Sequence, residues 1–200
     1  MSSPKETLEK LLEGNKRFAE GKSTHPNLGE EIREMLLSQQ DPSAVVISCS
    51  DSRVPVEIIF DSGIGDIFVI RTAGHVLSKE VLGSIEYAVK KLNVNLVMVL
   101  GHDDCGAIKA ALNSYKINSY RNLTENLKSI LNHIYPAFER LDFQNCESNL
   151  IDCAIKSNIN YQYEDLLKKD KYLASKVKKE KIMLVKANYN LKTGLVEIIK

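Results

Sequence analysis

The 200-residue sequence has no tryptophan, only five prolines, and no apolar run near the roughly 20 residues that span a bilayer. Its longest apolar stretches, such as Leu96–Leu100, stop far short of that, so no membrane partner is expected. An excess of one charge is missing too. The 27 Lys and Arg against 26 Asp and Glu leave +1, which creates no long-range field to gather nucleic acid or anionic lipid. The four cysteines include no CxxC pair, which removes zinc ribbons and thioredoxin-type motifs. The opening residues, MSSPKETLEKLLEGNKRF, have no apolar signal core, and no low-complexity linker or internal repeat divides the chain. A single cytoplasmic domain over 1–200 is therefore expected, with a helical arm over about 3–38. In a reducing compartment disulfides are improbable. Cys146 and Cys153, seven apart like one helical stripe, read as small buried hydrophobes.

What is present is ordinary globular composition, 44% apolar and 26% charged. Ser3-Pro4-Lys5-Glu6 has the form of a capping box with proline at the first helical position, and Leu8, Leu11, Leu12 and Phe18 follow at helical spacing up to Gly21. Its apolar side needs a surface, the sheet or a second subunit. A second helix is predicted from Gly29 to Ser38. Ala44–Ser50, Ile67–Arg71 and Asn95–Gly101 read as buried strands, with helices over Val56–Phe60, Ser78–Leu92 and Cys105–Leu112. The pattern from Asn122 onward is helical, with a stop at Pro136 and later helices over Asn149–Ile155 and Tyr163–Lys178. Lys181–Tyr189 and Leu195–Ile199, joined through Lys192-Thr193-Gly194, read as a hairpin. The expectation is an α/β fold: about four parallel strands and an antiparallel edge strand, flanked by helices, with the N-terminal helices packing on a partner subunit.

The chemistry-bearing residues follow two of these strands: Cys49-Ser50-Asp51-Ser52-Arg53 and His102-Asp103-Asp104-Cys105. If the first strand runs on, Cys49, Asp51 and Arg53 project to one side. If the first and third strands are neighbours, both stretches meet at the sheet's topological switch point. Two thiolates and an imidazole there suit Zn²⁺, with the fourth position open as in catalytic sites. Two thiolates cancel the formal +2 charge of the metal and weaken its pull on water. The Asp51–Arg53 pair is the expected compensator, a carboxylate gripped by a guanidinium and accepting a hydrogen bond from the zinc-bound hydroxide. Released from Arg53, Asp51 would swing onto the zinc and close the site.

Cys49-x-Asp51-x-Arg53 with His102-x-x-Cys105 resembles the β-class carbonic anhydrases. Gln40-Asp41-Pro42, Arg71-Thr72-Ala73-Gly74-His75, Gly83-Ser84-Ile85-Glu86-Tyr87-Ala88, Asn188-Tyr189-Asn190 and Thr193-Gly194 extend the resemblance from about residue 5 to 199. It implies one Zn²⁺ per subunit on Cys49, His102 and Cys105, with Asp51 as a further ligand only in a closed state, and Asp51 and Arg53 as the catalytic dyad. It implies reversible hydration of CO2 to bicarbonate by zinc-bound hydroxide, with Gln40 and Gly74 at the substrate, in a homodimer or homotetramer. Val46 stands where one branch of the family has a regulatory Trp beside Arg71 and Tyr189, so bicarbonate regulation of that form is not expected. His75 follows Gly74 in an expected cleft loop and is on that ground alone a candidate proton relay, a solvent-facing or packing histidine being the preferred reading; His25 and His133 read as surface residues. A CS2 or COS hydrolase on the same scaffold and a non-catalytic zinc-stabilised binding protein are the rival readings.

Overall fold

The computed structural model describes residues 2–117, 123–144, 146 and 149–200. Asn122, the expected start of the long helical region, lies outside them.

Helix α1 (Pro4–Ala19) begins as the sequence dictates: Ser3 caps it, Glu6 closes the capping box and Pro4 sits in the first turn. Its inner face, Thr7, Leu11, Gly14 and Asn15, packs on this chain's own sheet and on α3 (Val56–Ile59). The sheet, one of the two surfaces expected for the apolar side of α1, is therefore provided by this chain itself. Gly14 is required there, because a Cβ would stand 2.0 Å from the Phe60 carbonyl oxygen. Asn15 clasps the other end of the chain, its amide donating to Ile59 O (3.2 Å) and Gly194 O (2.8 Å) while its oxygen accepts from Val196 N–H (2.8 Å). Helix α2 (Glu30–Met35) buries none of its residues.

The sheet runs in the order β2-β1-β3-β4-β5. Strands β1 (Ala44–Cys49), β2 (Ile67–Thr72), β3 (Leu96–His102) and β4 (Met183–Tyr189) are parallel, and β5 (Val196–Ile198) is the antiparallel edge. Every residue of β1 and β3 is buried, as expected of central parallel strands covered on both faces. Side chains alternate between two cores. Val45, Ile47, Cys49, Val97 and Val99 face a thick helical layer, whereas Ala44, Val46, Leu96, Met98 and Leu100 face α1 and α3. The thick layer comprises α4 (Lys79–Lys91), α5 (Gly106–Lys116), α6 (Glu125–Phe138), α7 (Leu150–Lys169) and α8 (Lys171–Lys178).

Two expected helix ends are corrected. Pro136 lies inside the last turn of α6 and does not stop it. Asn149–Ile155 and Tyr163–Lys178 are not separate segments with a gap between them: α7 is continuous over 20 residues, and the break falls at Asp170, whose carboxylate caps α8. A third correction concerns Cys146 and Cys153, which are joined in a disulfide and only half-buried. Cys146 sits in a turn ahead of α7, off the helical stripe assumed from the spacing. Among the described residues, no helix is long and apolar enough to cross a membrane.

Candidate metal centre

β1 and β3 are adjacent, and the chain leaves them in opposite directions across the sheet, so the switch point lies between their carboxyl ends. Cys49 is the last residue of β1 and His102 the last of β3. Cys105 follows after a tight turn through Asp104 (φ +58°) and caps the N-terminus of α5. All three are buried, and their ligand atoms lie within 4.8 Å of one another.

The donor geometry fits a tetrahedral ion. The two sulfurs are 3.9 Å apart, against about 3.8 Å for two Zn–S bonds of ~2.3 Å at the tetrahedral angle. The imidazole is oriented for ligation. His102 Nδ1 is 2.7 Å from the Asp103 carbonyl oxygen, which makes Nδ1 the proton-bearing nitrogen. Nε2 is left buried without a hydrogen-bond partner, an acceptor lone pair that an ion would satisfy. Cys49 Sγ accepts from Asp51 N–H (3.4 Å) and Gly74 N–H (3.3 Å). The Cys105 thiol beside it is the largest influence holding the Cys49 pKa well below the usual thiol range, with His102 and these N–H groups adding to it against burial. The hydrogen bond to Cys49, burial and that neighbouring charge push Cys105 the other way. An incoming cation would draw off the thiol protons that remain, since sulfur ligates as thiolate.

The strand does not extend through Asp51 and Arg53 as the alternation argument assumed. β1 stops at Cys49, and a turn closed by Val54 N–H on Asp51 O (3.0 Å) swings the next residues over the cluster. Arg71 from β2 braces that turn, donating through Nε to Cys49 O (2.9 Å) and through Nη2 to Asp51 O (2.6 Å). This buttressing by Arg71 has no signature in the sequence. Asp51 and Arg53 do pair in two prongs, Nε to Oδ1 at 3.0 Å and Nη2 to Oδ2 at 2.8 Å. Those bonds hold the Asp51 carboxyl far below the ordinary carboxylate range and raise the Arg53 pKa. Asp51 Oδ2 sits 4.0 Å from His102 Nε2, beside the cluster but turned toward Arg53. Arg53 also reaches Asp104, which pairs with Lys109.

Gln40 is exposed and lies before the amino end of β1, next to Asp41 and Pro42, which line a surface cavity with Asn95 and Ile182. The length of β1, about 17 Å at ~3.3 Å per residue, separates it from the cluster in its own chain. Gly74 is buried at the cluster, where its N–H donates to Cys49 Sγ and its carbonyl accepts from Asn158. His75 is fully buried and hydrogen-bonded to Asn158, in keeping with the packing reading and against a relay; burial lowers its pKa to about 4. His25 is exposed as expected, and His133 is half-buried. Tyr189 and Val46 are both buried.

Residues 44–196 match the sequence profile of the carbonic anhydrase family. A carbonic anhydrase of Mycolicibacterium smegmatis is 55% identical over 113 residues, 56% of this chain and 55% of its own length. One from Synechocystis is 34% identical over 170 residues, 80% of this chain and 59% of its own. The chain thus spans little more than half the length of these curated relatives. Among solved structures, the β-carbonic anhydrase CcaA superposes with a TM-score of 0.76 at 30% identity, covering 96% of this chain and 95% of that one. Tetrameric β-carbonic anhydrases from Sordaria macrospora share the fold, with a TM-score of 0.73 at 21% identity over 97% of both chains. With the profile covering most of the sequence and the sulfur, nitrogen and sulfur donors converging where two parallel strands part, the chain belongs to the β-class carbonic anhydrase family.

Proposed function

We propose that the protein catalyses the reversible hydration of CO2 to bicarbonate and a proton, with one Zn²⁺ per subunit held by Cys49 Sγ, His102 Nε2 and Cys105 Sγ. The observation that carries the reading is the buried three-donor cluster with an Arg-clamped carboxylate at its edge. Zn²⁺ at such a site supplies Lewis acidity, allowing water to lose a proton near neutral pH. The remaining work falls to the chain. Asp51, ionised throughout the working range and unable to donate, accepts a hydrogen bond from the attacking water and turns its lone pair toward CO2. Arg53 holds that carboxylate in place and away from the metal ligands, which favours an open site.

We assign Gln40 to the substrate side of the site in a partner subunit, since its own cluster is out of reach. Exposed apolar side chains support a buried face in a homodimer or homotetramer: Met35 and Leu37 just ahead of Gln40, and Leu28, Ile58 and Ile64 around one surface cavity, are 43–85% exposed. Cytoplasmic residence belongs to this same proposal, and the Cys146–Cys153 bridge, a bond that a reducing compartment disfavours, counts against it.

Stopped-flow CO2 hydration on protein of measured zinc content, across pH, tests the reading. Turnover proportional to zinc and already full near pH 7 is expected. Stoichiometric zinc without turnover would leave a binding protein, and faster turnover of CS2 than of CO2 would assign the hydrolase. Turnover appearing only above about pH 8 would mean that Asp51 leaves Arg53 for the metal.

A further inference from the structure

Two amides, Asn158 and Gln162, are buried on α7, 0% and 1% exposed. Burying such groups is costly unless their donors and acceptors are paired, and the pairing here leads toward the metal cluster. Asn158 Nδ2 donates to Gly74 O (3.1 Å) and lies 3.0 Å from His75 Nε2, which accepts its second hydrogen. Gln162 Nε2 donates to Asn158 Oδ1 (3.2 Å) and to His133 O (3.0 Å). That first bond fixes the orientation of the Asn158 amide, oxygen toward Gln162 and NH2 toward the Gly74-His75 turn.

The turn needs holding. Gly74 (φ +69°) and His75 (φ +47°) are both left-handed, a conformation that is strained for a non-glycine residue such as His75. Gly74 is also wedged between α5 and α6, where a Cβ would lie 3.3 Å from Ala107 Cβ and 2.9 Å from Ile134 Cδ1. The conformation aims Gly74 N–H at Cys49 Sγ. Helix α7 comes close enough to reach the turn because position 101 carries no side chain; a Cβ there would stand 2.4 Å from Ile159 Cδ1.

We propose that Asn158 is a positioning residue for the metal centre: its amide clamps the Gly74-His75 turn and thereby keeps the Gly74 N–H on the sulfur of Cys49. The inference rests on the metal ligation proposed above. A hydrogen bond to a ligating sulfur orients it and tunes its donation. The second N–H on the same sulfur, from Asp51, belongs to a segment braced by Arg53 and Arg71 and is independent of α7. It is an internal control.

The test uses the full chain loaded with ¹¹³Cd²⁺, comparing wild type with Asn158→Leu, which has similar volume and no donor. In wild type the Gly74 and Asp51 amide protons should both couple to cadmium through their N–H···S bonds. In the variant the Gly74 coupling should vanish and that of Asp51 persist, and Zn²⁺ affinity by chelator competition should fall about tenfold. Unchanged Gly74 coupling with Zn²⁺ affinity within about twofold of wild type would overturn the proposal, whatever happens to the melting temperature. Should Asn158→Leu fail to fold, Gln162→Leu, which frees the amide to rotate, should weaken the Gly74 coupling, and an unaltered coupling overturns the proposal. Wild type that binds neither metal defeats the ligation reading alone. The clamp is then judged in metal-free protein by hydrogen exchange at Gly74, faster in the variant if the clamp exists and unchanged if it does not.

Discussion

The four cysteines form two pairs with opposite outcomes. Cys49 and Cys105 are 56 residues apart in sequence, yet their buried sulfurs face each other at 3.9 Å, hydrogen-bonded and not joined in a disulfide. Cys146 and Cys153, only seven apart, are half-buried and joined. The difference is one of support. One sulfur of the first pair hangs from the end of a fully buried central strand and the other from the capping residue of a helix, elements whose positions are fixed by packing. These hold the sulfurs at the spacing of two metal bonds and place an imidazole nitrogen beside them. The second pair bridges a turn and the start of α7, with no nitrogen donor grouped with it among the described residues. A thiol pair becomes a metal site when rigid neighbours both hold it open and complete the ligand set.

Substitution is the sharpest way to break that contrast. Cys49→Ser or His102→Ala should abolish stoichiometric zinc, read by elemental analysis, and lower CO2 hydration by on the order of 10³-fold or more. Cys146→Ser and Cys153→Ser should leave both unchanged. Arg53→Ala should come next in size, retaining zinc but losing about 10²-fold or more in kcat, because Asp51 is no longer held off the metal ligands. Thiol titration of unfolded, metal-stripped, unreduced protein should count two thiols, not four; breaking the bridge should lower stability by about 2 kcal/mol, seen as a reduced Tm with zinc content intact.

The smallest effect belongs to a buried charge with no part in the metal centre. Asp61 accepts hydrogen bonds from Thr24 N–H, the Thr24 hydroxyl, His25 N–H and Arg17 Nε. Burial raises its pKa, but these bonds together outweigh burial and hold it well below the ordinary value. Its stabilisation is therefore complete above the unfolded carboxylate value of about 4 and fades as the pH falls below it. Asp61→Asn should cost about 1–2 kcal/mol at pH 7. The gap from wild type should close in acid unfolding below pH 4, without change in metal affinity.

The strands β1 and β3 were readable because central parallel strands bury both faces and so appear as unbroken apolar runs. The Cys49, His102 and Cys105 set was readable from residue type and from its position past those runs. α7 was misread because Asn158 and Gln162, both buried and polar, interrupt the apolar periodicity in the middle of the helix. Pro136 was misread because proline lacks the N–H that a helix interior uses, whereas α6 carries on through it to bury Ala137 and Phe138 in the core. The Cys146–Cys153 bridge was missed because a seven-residue spacing suggests one helical face, and only the turn before α7 places the two sulfurs together. His75 sits beside a flexible-looking glycine, which hid its burial.

By itself the sequence determined the order of elements, the donor set and the pairing of Asp51 with Arg53, because these depend on residue type and local spacing. The folded chain alone decided that Arg71 braces the Asp51 turn, that Gln40 lies at the far end of β1 from its own cluster, and that α7 reaches the loop behind Cys49. Those relations join segments tens of residues apart, where no local periodicity records which backbone atom a side chain will meet.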